Sequence, residues 1–187
     1  MTLYLVAKYL HVVGAALMFL AVGFEWGMLA QLRRAQTSEQ VREWARIGRW
    51  IRWLGPFSLG AVLVPGFYMA ATTWREGAPW INLAVIALVL VAVLGALGGR
   101  GLNRAIAPAL VANGPLPAST KARFHAPFLW ISLQTRAGLL LAIVFLMTAK
   151  SDLFAALGAM AVAMLAAGAV SIAGIAASAS RRPARQP

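Results

Sequence analysis

The sequence contains no cysteine, and only 5 of its 187 residues are acidic. Without cysteine there are no disulfides, thiolate metal sites, iron–sulfur clusters or covalently attached c-type haem. The five acids are scattered, so no carboxylate pair is set up for acid–base hydrolysis. Also missing are H-E-x-x-H, G-x-S-x-G, a P-loop and G-x-G-x-x-G. Gly98-Gly99-Arg100-Gly101 reads as a helix interruption and falls short of a phosphate cradle. Charge of either sign is scarce: 12% of residues, against about 25% in soluble domains. No basic region precedes the first apolar run, so a cleaved signal peptide is not expected.

What is abundant is apolar surface. Apolar residues make up 61% of the chain, against about 45–50% in soluble domains. Several runs reach about 20 residues, the length of a membrane-crossing helix. The expected fold is all-α, a polytopic helix bundle with five spans near 3–32, 56–74, 80–99, 126–148 and 153–178. Cytoplasmic helical extensions are expected near 38–55 and 102–113. Residues 1–178 form one bundle, and 179–187 a basic tail. Arg75-Glu76-Gly77-Ala78-Pro79 and Lys150-Ser151-Asp152 carry the breakers and charges of tight connections.

The net charge of +12 comes from 17 basic residues. Thirteen of them fall in the first loop, the third loop and the tail, on one side of the expected membrane. Only Lys8, Arg75 and Lys150 fall on the other, and Arg136 lies within a span. The positive-inside bias then puts the N-terminus outside and the C-terminus in the cytoplasm. Arginine-rich, alanine-rich composition fits a bacterial inner membrane. No nucleic-acid partner is needed to explain the charge.

Thr37 and Gln40 make a capping box ahead of Val41, Trp44, Ile47, Ile51 and Leu54, which recur at helical spacing. Arg42, Arg46 and Arg49 form another face. This helix suits the anionic lipids of the cytoplasmic leaflet, or else continues directly into the second span. Ser119 is the expected cap of the run into the fourth span. The glycines of the fifth span, Gly158, Gly168 and Gly174, suit close helix packing, within the chain or in a homodimer.

Ionisable side chains within spans are costly and therefore mark candidate sites. In the first span Lys8, His11, Ala15, Met18, Val22 and Glu25 share one stripe, which must face protein or a cavity. In the fourth, Ser132 and Arg136 fall on a stripe with His125, Leu129, Ile143, Met147 and Lys150. Helical rise brings Glu25 and Arg136 to compatible depths, predicting an ion pair between them. The same ruler separates His11 from His125 by roughly 28 Å, too far for one bis-histidine centre. Met69, Met147 and Met160 share His11's depth instead. Histidine with methionine suits copper(I), or a haem b with His11 and Met147 as axial ligands.

Lys8-Tyr9-Leu10-His11-Val12-Val13-Gly14-Ala15, Pro65-Gly66, Gln134-Thr135-Arg136 and Phe145-Leu146-Met147-Thr148-Ala149-Lys150 carry a resemblance. Over about 3–153 the chain resembles bacterial predicted integral membrane proteins of domain of unknown function 2269, a family with no activity to transfer. Its opening is also similar to copper-resistance D-type membrane proteins and to the bacterial membrane protoporphyrinogen oxidase. That similarity implies copper or haem at an early-span histidine, and His11 alone maps onto it. Three functions compete: a haem- or copper-handling protein, a small transporter or channel lined by the polar stripe, and an accessory subunit of a membrane complex.

Overall fold

The computed structural model describes residues 3–73, 78–150 and 152–180. Seven helices follow one another: α1 (Leu3–Arg34), α2 (Ser38–Ile51), α3 (Leu54–Thr73), α4 (Pro79–Val111), α5 (Ala118–Phe124), α6 (Pro127–Ala149) and α7 (Leu153–Ser180). No strand occurs among the described residues. Five stretches are long and apolar enough to cross a membrane: α1, α2 with α3, α4, α5 with α6, and α7 to Gly174. In a bilayer every backbone N–H and C=O must be satisfied within the chain, which is why such runs become helices. Arg75, Glu76 and Gly77 of the second connection, Ser151 of the last one and residues 181–187 of the tail lie outside the described residues.

Proline sets two of the breaks. Pro56 offers no N–H to the carbonyl of Arg52, and the chain turns at Arg52–Trp53 between α2 and α3. α2 is therefore a separate helix and does not run unbroken into the span. Pro127 likewise separates α5 from α6. The Thr37–Gln40 capping box forms as the sequence predicts. Ser119 does not cap: α5 starts from Pro117, whose carbonyl accepts from Thr120 and Lys121, so Ser119 is already in the first turn.

The larger departure is at Gly98–Gly101. No interruption occurs there, and α4 runs through it for 33 residues. The glycines serve approach instead of a turn. A Cβ on Gly98 would stand 3.3 Å from the Ser132 hydroxyl, and one on Gly101 3.3 Å from Leu129. Both contacts are with α6, so bare backbone on α4 is what admits that helix.

α1 packs most extensively on α3, and α6 on both α4 and α7. Close crossings fix these pairs. A Cβ on Gly14 would lie 2.7 Å from the Ala61 backbone, and one on Gly138 would lie 2.9 Å from the Ala163 carbonyl. Gly174 makes room for the Trp130 ring, but a Cβ on Gly158 or Gly168 would meet no atom within 4 Å among the described residues. The main core joins Met18, Val22 and Leu29 to Val62, Leu88, Val91, Leu133 and Leu139.

A second core caps the bundle at the α2 end, from Met28, Leu32, Val41, Ile106, Ala109 and Phe124. Its polar edge clamps α2 to the loop after α4. Ser38 N–H donates to Gly114 O (3.0 Å), Leu116 N–H to Gln36 O (2.8 Å), and Glu39 accepts from Gly114 N–H (3.2 Å). Gly114 takes a positive φ of 79° there, a conformation glycine adopts without strain.

Candidate functional site

The intramembrane polar residues divide among three helix pairs. His11 on α1 bonds the Val62 carbonyl of α3 through Nδ1 (2.8 Å). Pro65 lies three residues on, and its missing N–H removes the helical rung to the neighbouring Ala61 carbonyl. Gly66 admits the ring, since a Cβ there would stand 3.1 Å from the imidazole. A carbonyl only accepts, so Nδ1 is the donor in this bond. Lys8, at the start of the same stripe, is exposed. Further along, Met18 and Val22 are buried as the stripe requires.

The methionines do not converge on His11. Met147 and Met160 pack with Leu146, Ala84 and Ala156 where α4, α6 and α7 meet. Met69 alone lies on the helix that His11 bonds. Among the described residues no three histidine, aspartate or glutamate side chains gather as metal ligands. Met147 and Met160 thus belong to a helix junction other than the α1–α3 contact that holds His11.

Arg136 and Glu25 are brought together. The Arg136 guanidinium donates through Nη2 to Glu25 Oε2, joining α6 to α1. Arg136 is 6% exposed, and its Nε–H has no hydrogen-bond partner among the described residues. α4 makes the space: a Cβ on Gly95 would lie 3.2 Å from Nη1, and one on Gly98 4.0 Å from Nη2. Ser132, one turn earlier on α6, donates to the Leu94 carbonyl of α4 (3.1 Å). The glycines therefore cradle the arginine, and Ser132 pins the helix that presents it.

This ion pair lies at the buried end of a cleft of about 580 Å³ between α1, α2, α4 and α6. Phe24, Met28 and Leu29 form one wall, and Leu102, Ile106 and Leu133 the others. The open end carries Arg42, Arg46, Arg49 and Arg52 of α2. Five arginines thus face one glutamate across largely apolar walls. Arg42 is already engaged, by Glu39 (2.9 Å), by Asn113 (3.2 Å) and by the Ala112 carbonyl. Arg46, Arg49 and Arg52 are exposed and make no such bonds within the described chain.

Sequence reasoning identifies the arginine face of α2 and the Arg136–Glu25 pair, but not that one cavity connects them. It also misses Gly95 and Asn103. The signal available is the run of small residues on α4, which reads equally well as a turn. At the membrane boundary, His125 bonds the Lys121 carbonyl of its own short helix (3.0 Å) and takes no part in the cleft. No known protein family matches the chain, and neither do the curated proteins or the solved structures.

Proposed function

We propose that this chain is a multi-pass protein of a bacterial inner membrane that takes an anionic ligand into the α1–α2–α4–α6 cleft, as the binding step of a small transporter. Its N-terminus lies outside and its C-terminus in the cytoplasm, an orientation supported by thirteen basic residues on the α2 side against three. The affiliation with domain of unknown function 2269 belongs to the same proposal and contributes no activity of its own.

One observation carries the reading: a single cavity is lined both by the Arg136–Glu25 pair and by a row of exposed arginines that make no hydrogen bonds among the described residues. Intramembrane charges that only held helices together would need no cavity. Pockets of about 300–1,000 Å³ with a few convergent polar groups are the usual size and make-up of ligand sites. The cationic mouth concentrates anions, and apolar walls strengthen each charge by excluding water. The copper or haem reading and the accessory-subunit reading have no comparable feature in their favour.

The chain has no cysteine, so a single cysteine at Asn103, which lines the cleft, reports on it alone. A neutral maleimide should label Asn103→Cys in detergent, and anions should slow that labelling. If no anion, whether inorganic or amphiphilic, changes the labelling rate, the cleft is not an anion site.

A further inference from the structure

The level of the cleft mouth decides between a dissolved anion and one that belongs to the bilayer. Trp50 and Trp53 stand beside Arg49 and Arg52 at the end of α2, and they are 81% and 76% exposed. Tryptophans so placed at the end of an apolar span settle at headgroup level. Phe57, one turn into α3, is also exposed and points the same surface toward acyl chains. The three uncommitted arginines therefore lie where lipid phosphates lie.

The interior of the cleft matches the rest of such a molecule. Its walls are mostly apolar, and Leu110 on the rim is exposed beside them. Arg136 lines the cavity and is far more buried than the arginine row. A soluble anion such as phosphate satisfies the mouth but leaves the apolar walls without a match. A glycerophospholipid has its phosphate outermost, its ester oxygens one layer deeper and its chains beyond.

We propose that the cleft is a site for an anionic phospholipid of the cytoplasmic leaflet. Its phosphate is held by Arg46, Arg49 and Arg52, and chain carbons lie against Phe24, Met28 and Leu102. The inference rests on the anion-binding reading and names its ligand class. Guanidinium pairs well with phosphate because its donors form a planar fork. Each arginine near a lipid surface contributes on the order of fivefold in affinity.

The test uses the full chain carrying Asn103→Cys, in dodecyl maltoside micelles doped with phosphatidylglycerol, with phosphatidylcholine, or with inorganic phosphate alone. Ser119→Cys, exposed on α5 outside the cleft, is the control. Phosphatidylglycerol should slow neutral-maleimide labelling at position 103 and leave position 119 unchanged, while the other two additions do neither. Substituting Arg46, Arg49 and Arg52 by glutamine should weaken the protection by on the order of fivefold for each arginine removed. These exposed side chains hold no part of the core, so the variant's melting temperature should stay near that of the parent.

Equal protection by phosphatidylcholine would overturn the proposal, because headgroup charge would be irrelevant. Protection by inorganic phosphate without phosphatidylglycerol would overturn it too, while leaving the anion-binding reading intact. Protection that survives loss of all three arginines would remove the assigned phosphate site. No protection by any addition would end both readings together.

Discussion

At the scale of single residues, Arg136 shows how much support one buried charge needs. Taking a guanidinium out of water is expensive, and the chain answers with a carboxylate, a glycine cradle and a pinned helix. Glu25 keeps 39% of its side chain accessible, so the pair is buried at one end only. Removing one partner of a buried pair costs about 3–5 kcal/mol, and the half-open site points to the lower end of that range. Arg136→Glu or Glu25→Arg alone should therefore cut the yield of folded protein in the membrane. The double exchange should restore much of it, as read by a fluorescent C-terminal fusion and gel filtration. Failure of the double variant to exceed either single one would show that the two side chains do not act as a pair. This contact is legible in the sequence, because spans crossing in opposite directions allow depth to be counted residue by residue. The empty space beside it is not, since cavities arise from how helices splay.

Among the elements, α2 is readable in outline and α4 is not. The T-x-x-Q box and the apolar spacing of Val41, Trp44 and Ile47 specify a capped amphipathic helix without help from the rest of the fold. Gly98–Gly101 misleads because glycine costs a helix only about 1 kcal/mol per residue relative to alanine. An unpaired backbone group in hydrocarbon costs several times that, so the helix persists. Local pattern says nothing of the fold-back of α2 over α1 and α4, which depends on the Glu39–Gly114 and Ser38–Gly114 bonds to a loop some 75 residues away. Backbone N–H groups, its own and that of Gly114, hold the Glu39 carboxyl below its usual pKa, with Arg42 assisting. A carboxylate with a lowered folded-state pKa stabilises the fold above its unfolded pKa and loses that contribution as pH falls through the folded value. The α2 clamp should therefore loosen as pH drops below the ordinary carboxylate range. Hydrogen exchange at Gly114 and Ser38 should quicken in that range for the parent, and be fast and insensitive to pH-driven loosening in Glu39→Gln.

For the molecule as a whole, five stretches are long and apolar enough to cross a membrane, and the proposed orientation rests on the distribution of basic residues. Ser119→Cys and Leu153→Cys, each alone in a cysteine-free chain, should be labelled from opposite faces. An impermeant maleimide should reach position 119 in inside-out vesicles and position 153 in intact spheroplasts. The reverse pattern would invert the orientation and move the cleft to the outer leaflet. At this scale the sequence reveals fold class and span count, but not how the helices group. α1 with α3 and α4 with α6 and α7 form two tightly packed sets, and between the sets the contacts are fewer.

That grouping bears on how the chain is made. Glu25 precedes Arg136 by 111 residues. At ordinary ribosomal rates the carboxylate emerges on the order of ten seconds before its partner exists. In that interval α1 packs chiefly against α3, through the Gly14–Ala61 crossing and the His11–Val62 bond. A glutamate waiting in the membrane without its arginine would reside at its water-exposed end, or protonated, until α6 is inserted. The ion pair then records that α6 has arrived and docked on α1. Variants of Glu25 or Arg136 would accordingly reveal themselves first to the cell's membrane quality control, before any assay of the finished protein.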